Sequence, residues 1–346
     1  MRHRAFRRST RTESFQLKMR IGSGLSVLLP IAILLGLGTG HFLPKIGSVI
    51  GAVIDPLVLT LLFLMFFEVR FSPLRKASDH LSFLSLAWVS NFILIPVLGW
   101  GLASLFFDSQ TALFAGLLLY FLFPCTDWFL AFTRIAKGDV ALGSVLIPIN
   151  LISQLLLFPV YLSIFLGSQI SLDLKETSGT FVQWFLFPLI AAVSFRFLLS
   201  KVLSTERFKP IPPFIGSLVP WVLSLLVFSI FVCHTTQLIE NPSILLPVLL
   251  AVLMFFVLTW LMGEFFAKYF RLARPQHVLL SITTTARNSP LMLSLATIAL
   301  PDQPLVYAVL ILGMLVEFPH LTILSRLMLG KDRSVSPSGG YPVTPA

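Results

Sequence analysis

The stretch that decides the fold is Phe123-Pro124-Cys125-Thr126-Asp127-Trp128, a polar hexapeptide halfway along an apolar segment long enough to cross a membrane. Its proline removes a helical hydrogen bond, and a thiol, a hydroxyl and a carboxylate follow. In a bilayer such a break is stable only where other protein or a water-filled cavity satisfies the freed backbone groups. The hexapeptide therefore predicts half of a binding site inside a bundle of membrane-spanning helices.

The composition indicates an integral helical membrane protein. Of the 346 residues, 56% are hydrophobic and only 12% are charged, and the mean hydropathy is +0.91. A soluble domain with this composition would expose a largely apolar surface to water. The formal net charge is +10, but the basic residues lie in short connections between apolar runs. They indicate orientation in a lipid bilayer, and no nucleic-acid partner is expected.

The apolar runs predict an all-α polytopic membrane protein with ten transmembrane helices. A helix needs about 20 residues to cross a bilayer. Ten runs of that length occur, at 23–43, 46–67, 81–106, 111–135, 141–167, 181–200, 214–236, 243–266, 277–300 and 303–328. Residues 1–22 are predicted to form a basic cytoplasmic tail, and the Pro/Ser/Gly-rich end of 329–346 predicts a disordered cytoplasmic tail.

The positive charges support this count. With a cytoplasmic N-terminus, 22 of the 25 Lys and Arg residues fall on the cytoplasmic side, and only Lys45 and Lys175 fall on the other. A missed or an extra span would destroy this asymmetry. Both termini are therefore expected in the cytoplasm and the protein in the plasma membrane, or in an organelle membrane if the basic tail is a transit peptide. The sequence leaves the start open between Met1 and Met19.

A second regularity is an internal repeat. The longest extracytoplasmic connection, 168–180, separates five spans at 23–167 from five at 181–328. Breaks and polar residues recur at offsets of 166 for Pro124 and Pro290 and 167 for Asn150 and Glu317. Five spans per repeat give the repeats opposite orientations, and corresponding broken spans in such inverted repeats indicate the binding site of a transporter.

Each broken span is expected to contain the start of a second half-helix at mid-membrane depth. A half-helix beginning at about Thr126 places Cys125 near a helix N-terminus, where unsatisfied N–H groups favour negative charge. In span 9, Ser289 and Pro290 have the pattern of an N-cap and a first helical position. The candidate substrate-binding residues at the two breaks are Cys125, Thr126, Asp127, Asn288 and Ser289.

Charged and amide side chains complete the predicted site. Arg287 is the cation placed at mid-membrane depth, where a lone charge is costly. It is expected to pair with Asp127 or Glu317, and it can also release that carboxylate when substrate or a proton arrives. Glu317, in the middle of span 10, is the best candidate for proton coupling or cation coordination. Asn150 and Gln154 share a helix face and either line the cavity or tie helices together.

Other chemistries find little support. The sequence has no nucleotide-binding loop and no Gly-x-Ser-x-Gly or His-Glu-x-x-His motif, so an ATP-driven pump or a familiar hydrolase is not indicated. No cofactor is expected. A membrane enzyme or sensor with Cys125 as nucleophile would need a base beside it, and the sequence places no histidine there. The sequence leaves the oligomeric state open.

Several of these stretches resemble the arsenite-efflux permeases of the bile acid:sodium symporter superfamily. The resemblance covers about residues 24–328 and implies a ten-span inverted repeat in which spans 4 and 9 are broken and cross. It rests on Pro124-Cys125-Thr126, Ala136-Lys137-Gly138-Asp139, Asn150 with Gln154, the break at Ala286–Pro290, and Leu315-Val316-Glu317-Phe318-Pro319.

The resemblance also implies export of arsenite, and in some members antimonite, driven by the proton gradient. Cys125 matches the span-4 cysteine that the family uses, and Glu317 matches its span-10 glutamate. Trivalent arsenic prefers soft thiolate ligands. Cys125 is therefore expected to be a transient As(III) ligand, with Thr126 and Asn150 bonding the arsenite hydroxyls.

Two positions depart from the family pattern and keep an alternative open. Asp127-Trp128 stands where the family has mostly apolar residues, and Arg287 stands where span 9 is more neutral. The alternative is a sodium- or proton-coupled symporter of an organic anion, such as a bile acid, a small carboxylate or a sulfate. Arg287 and the half-helix N-termini would then bind the anion. A sodium ion is the less favoured coupling ion, because Arg287 would repel a cation nearby.

Overall fold

The computed structural model describes residues 28–69, 73, 80–108, 111–126, 128–166, 186–208, 210–236 and 242–333. Within these ranges the regular structure is helical, apart from one isolated antiparallel bridge between Pro124 and Arg287. The predicted N-terminal tail, the predicted linker 168–180, Asp127 and residues 334–346 of the predicted C-terminal tail lie outside the described residues.

The helices before the linker are α1 (Leu28–Phe42), α2 (Pro44–Gly51), α3 (Ile54–Glu68), α4 (Leu81–Phe106), α5 (Ala112–Leu122), α6 (Trp128–Ile135) and α7 (Val140–Phe165). Those after it are α8 (Phe187–Val202), α9 (Ile211–Cys233), α10 (Pro242–Tyr269), α11 (Arg274–Thr285), α12 (Ser289–Ala299) and α13 (Pro304–Arg333). Helix α4 contains a π-helical turn at Ser90–Leu94, and a short turn, Thr205–Phe208, precedes α9.

Length and apolarity establish a multi-pass membrane protein. In the described part of the chain, α4, α7, α9 with its preceding turn, α10 and α13 can each cross a bilayer alone. Helices α1 and α2 add a sixth span if their 108° bend is counted within one crossing, whereas α5 and α12 are apolar but shorter. The count of ten spans and the inverted repeat therefore stay predictions.

The outer surface of the bundle is apolar, as expected of helices that face lipid. Leu34, Leu156 and Phe187 are between 68% and 69% exposed. The polar side chains, by contrast, concentrate inside, where α5 packs against α4 and α13, and α13 also packs against α10 and α12. Helix α3 packs mainly against α8 and α9.

The two predicted interruptions are present, and they position the site. Helix α5 ends at Leu122 and α11 ends at Thr285. The chain is non-helical at Phe123–Thr126 and again at Ala286–Asn288 before α6 and α12 begin. Helix α13 runs to Arg333, five residues beyond the predicted end of the tenth span at 328.

Candidate functional site

The two helix breaks hydrogen bond to each other through their backbone groups. The amide of Cys125 donates to the carbonyl oxygen of Ala286 at 2.9 Å, and the amide of Asn288 donates to the carbonyl oxygen of Phe123 at 3.0 Å. A helix break at a proline leaves backbone N–H and C=O groups unpaired, and lipid cannot hydrogen bond to them. Each interrupted stretch therefore needs a polar partner. Here the partner is the other interrupted stretch, and the site is built around this crossing.

Cys125 lies in the break, three residues before α6 begins, with its side chain buried at 1% exposure. Its Sγ accepts a hydrogen bond from the Trp128 amide at 3.3 Å. The α-helix begins at Trp128 rather than at about Thr126 as predicted. The thiol therefore still sits near the partly positive end of a half-helix.

A second group of site residues forms a buried amide cluster. The Nδ2 of Asn288 donates to Gln154 Oε1 at 2.9 Å and to Thr126 Oγ1 at 3.3 Å. The Nε2 of Gln154 donates to the Pro124 carbonyl oxygen at 2.8 Å. Three of the predicted substrate-binding residues, from three separate helices or breaks, are thus brought into contact.

Glu317 is buried, at 2% exposure, and receives three donors. Its Oε1 accepts from the Arg287 amide at 2.9 Å. Its Oε2 accepts from the Ser289 hydroxyl at 3.2 Å and from the Tyr120 hydroxyl at 3.4 Å. The carboxylate of α13 is thereby connected to the break in span 9 and to α5.

Ser289 is consequently not the N-cap of α12, and that prediction is one residue late. Helix α12 begins at Ser289, so Asn288 is the N-cap and Pro290 is the second helical position. Neither side chain caps the helix, because the Ser289 hydroxyl bonds to Glu317 and the Asn288 amide bonds to Gln154 and Thr126. Contacts between helices replace the local capping bond that the sequence pattern indicates.

The geometry of Arg287 differs from the predicted side-chain ion pair. Glu317 contacts the backbone amide of Arg287, as described above, while the guanidinium group points elsewhere. Its acceptors among the described residues are the carbonyl oxygens of Phe121, Thr283 and Thr284 and the side-chain oxygen of Asn91. A pairing with Asp127 lies outside the described residues.

Asn150 is fully buried, one helical turn before Gln154 on α7. Both its Oδ1 and its Nδ2 lack a hydrogen-bond partner in the described structure. Leaving such a group unsatisfied costs about 1–3 kcal/mol. An amide kept at this cost beside the amide cluster is well suited to bind a polar ligand.

Sequence reasoning did not identify two residues of the site, Asn91 and Tyr120. Asn91 is buried in the π-helical turn of α4 and bonds the guanidinium of Arg287 at 3.2 Å. Tyr120 is buried in α5 and bonds both Glu317 and the Gly313 carbonyl oxygen. A single amide in an apolar span was a usable signal for Asn91, whereas a tyrosine in an aromatic-rich segment gives none.

The Ala136-Lys137-Gly138-Asp139 motif holds the half-helices in place. The Gly138 amide caps the end of α6 by donating to the Thr133 carbonyl oxygen at 2.7 Å. Asp139 accepts from the Leu142 amide at 2.9 Å and so caps α7. Its own amide donates to the Pro275 carbonyl oxygen in α11 at 3.0 Å. The motif therefore ties α6 and α7 to α11.

Two comparisons with known proteins agree with this architecture. A family model described as the sodium bile acid symporter family matches residues 55–241, which is more than half of the chain. The chain is also 23% identical over 334 residues to the "Arsenical-resistance protein Acr3" of Corynebacterium glutamicum. That alignment covers 89% of this chain and 89% of the relative. The resemblance stated from the motifs is thereby confirmed.

Proposed function

The chain belongs to the sodium bile acid symporter family, a family of transporters, and we propose that it exports arsenite in exchange for protons. It does so as a ten-span inverted repeat in the plasma membrane, with both termini in the cytoplasm. The similarity to an arsenical-resistance protein along most of its length supports this substrate. Antimonite, a trivalent hydroxide of the same kind, is a second substrate.

The observation that carries the proposal is the position of Cys125 at the helix crossing. Arsenite at neutral pH is a small and mostly uncharged trihydroxide whose arsenic prefers sulfur ligands. The thiol displaces one hydroxyl, so that an S–As bond replaces an As–O bond and the thiol proton leaves with the hydroxyl as water. One such bond is weak enough to reverse, and arsenite is released when water attacks the arsenic.

The amides around the crossing recognise the remaining hydroxyls of arsenite. Asn150 offers an unpartnered donor and an unpartnered acceptor. Thr126, Asn288 and Gln154 already bond to one another, and they can exchange those bonds for bonds to the substrate. A neutral hydroxide needs this mixture of donors and acceptors, which a site for an anion would not provide.

Glu317 is the proposed proton-coupling group. As a carboxylate it accepts from the Arg287 amide and from Ser289, which lie in and just after the break before α12. Protonation from outside removes the charge and weakens these bonds, so the break is freed to change its contacts with α13. Asp127, two residues after Cys125, is proposed as a second carboxylate in this step.

The geometry argues against the alternative of an organic-anion symporter that uses Arg287. The guanidinium group is 0% exposed and its terminal nitrogens donate to four protein oxygens. Only its buried Nε lacks an acceptor among the described residues, so a carboxylate or sulfate that bound the terminal nitrogens would have to displace those acceptors. We therefore place the substrate at Cys125 and the amide cluster.

The test is arsenite accumulation in cells that lack their own arsenite exporter. Expression of the chain should lower intracellular arsenic, and Cys125→Ser should abolish the effect at equal membrane expression. Cys233→Ser is the matched control, because Cys233 lies in α9 and donates to the Gly47 carbonyl oxygen away from the crossing. Export by Cys125→Ser at the rate of the unchanged protein would remove the thiol from the mechanism.

A further inference from the structure

The two terminal nitrogens of the Arg287 guanidinium group lie among four oxygen atoms, whereas its Nε is buried and has no hydrogen-bond partner in the described structure. One terminal nitrogen donates to the Phe121 carbonyl oxygen at 3.1 Å. The other donates to the carbonyl oxygens of Thr284 at 2.7 Å and Thr283 at 3.0 Å and to Asn91 Oδ1 at 3.2 Å. Arg287 is among the largest fully buried side chains of the described structure.

Three of these four oxygens are backbone carbonyls from the carboxyl ends of two half-helices, and the fourth is the side-chain oxygen of Asn91 in α4. Phe121 lies in the last turn of α5, and Thr283 and Thr284 lie in the last turn of α11. The last carbonyls of a helix have no intrahelical partner, and the helix dipole makes this end partly negative. Two such ends meet at the crossing, so their combined field favours a positive charge.

An aromatic ring lies against the guanidinium group. The guanidinium carbon lies 5.5 Å from the centre of the Phe255 ring, within the range of a cation–π contact. The ring of Phe121 stacks on the same Phe255 ring, with 4.3 Å between the ring centres. Helix α10 thus contributes an apolar wall that excludes water and leaves the carbonyl oxygens without a solvent partner.

The nearby carboxylate of Glu317 attracts the Arg287 cation electrostatically but makes no direct hydrogen bond to the guanidinium group in the described structure. Glu317 accepts from the backbone amide of Arg287 instead. The cation is therefore held by oxygen dipoles at half-helix ends, which is the way in which transporters with broken helices coordinate sodium. The arginine side chain supplies the charge that a bound metal ion supplies in such sites.

We propose that Arg287 is a built-in cation, which fills a monovalent-cation site formed by the ends of α5 and α11. The unmodified protein then needs no sodium ion for stability or for transport. Removal of the guanidinium group leaves a cavity with four acceptor oxygens, and this cavity takes up a small cation, either free guanidinium or Na⁺. The inference concerns cation binding and does not depend on arsenite being the substrate.

The experiment measures the melting temperature of the purified protein in choline chloride, in sodium chloride and in choline chloride with millimolar guanidinium. We expect identical values for the unmodified protein. We expect a lower value for Arg287→Ala in choline, raised by about 2–4 °C or more when guanidinium or sodium binds. Arg196→Ala is the control, because Arg196 also donates to helix-end carbonyls, of Phe67 and Val69, but is only half-buried. It should show no shift specific to either cation.

Two results would overturn the proposal: stabilisation of the unmodified protein by sodium over choline, or a folded Arg287→Ala that melts equally in all three salts. If Arg287→Ala does not fold, Arg287→Lys and Arg287→Met decide. Lysine keeps the charge and methionine keeps only bulk, so lysine should yield folded protein and methionine should not. Equal yield and equal melting temperature for these two variants would show that the charge is not needed.

Discussion

The side-chain amides of Gln154 and Asn288 hydrogen bond to each other at 2.9 Å, and Gln154 also bonds the Pro124 carbonyl oxygen. One glutamine on an unbroken helix therefore bridges both broken spans. Because proline leaves backbone groups without helical partners, this bridge contributes to holding the two interrupted stretches in register at the crossing.

Gln154→Met should destabilise the protein. Methionine has a similar length but leaves the Pro124 carbonyl oxygen without its donor, at a cost of about 1–3 kcal/mol. It also removes one of the two acceptors of the Asn288 side-chain amide, which keeps only its bond to Thr126. The melting temperature in detergent should fall. Leu156→Met on the same helix is the control, because Leu156 faces outward and is 68% exposed. Equal melting temperatures for the two variants would contradict the bridging role.

Asn150→Leu should reduce transport without lowering the stability of the protein. The Asn150 amide makes no hydrogen bond in the described structure, so an apolar side chain removes an unsatisfied group and the melting temperature should stay unchanged or rise by up to about 4 °C. Arsenite transport should nevertheless fall, because the substrate loses a donor and an acceptor. A large drop in melting temperature would mean that Asn150 is a structural residue.

Gly313→Ala should displace Tyr120 from Glu317. A methyl group at Gly313 would lie 2.6 Å from carbon atoms of the buried Tyr120 ring, which is closer than packed atoms approach. We expect lower stability and slower transport. Gly101→Ala is the control, since nothing lies within 4 Å of the added methyl there. Wild-type transport by Gly313→Ala would show that the Tyr120–Glu317 contact is dispensable.

Glu317→Gln should separate coupling from substrate binding. Glutamine retains an acceptor oxygen for the Arg287 amide but has no proton to exchange. Exchange of arsenite across the vesicle membrane in the absence of a pH gradient should persist. Accumulation of arsenite driven by a pH gradient should be lost. Glu264→Gln, a carboxylate 3.4 Å from His277 in a separate pair, should retain both activities. Gradient-driven accumulation by Glu317→Gln would exclude this carboxylate as the coupling group.

The sequence predicts the position of the site well but not its bonding. Pro124 and Pro290 mark the breaks because proline has a local effect that does not depend on the fold. The contacts of Arg287 could not be predicted in the same way. Charge alone indicates a carboxylate partner, whereas the structure provides carbonyl oxygens from helix ends that lie far apart along the chain.

The exact starts of the helices could not be predicted from the sequence either. The Ser-Pro pattern places the N-cap at Ser289, yet the structure places it at Asn288. Neither side chain makes the capping bond, because Asn288 bonds to Gln154 in α7 and Ser289 bonds to Glu317 in α13. Tyr120 was missed for a related reason. Its role depends on the close approach of α5 and α13 at Gly313, which no local pattern encodes.

The central claim is that the chain exchanges arsenite for protons at Cys125, and proteoliposomes test it most directly. Vesicles with an acidic lumen and no sodium should accumulate arsenite when they contain the unmodified protein and not when they contain Cys125→Ser. Bile acids and small organic anions should not accumulate under the same gradient. If no arsenite accumulates, and vesicles given a sodium gradient instead accumulate an organic anion even with Cys125→Ser, the account is contradicted.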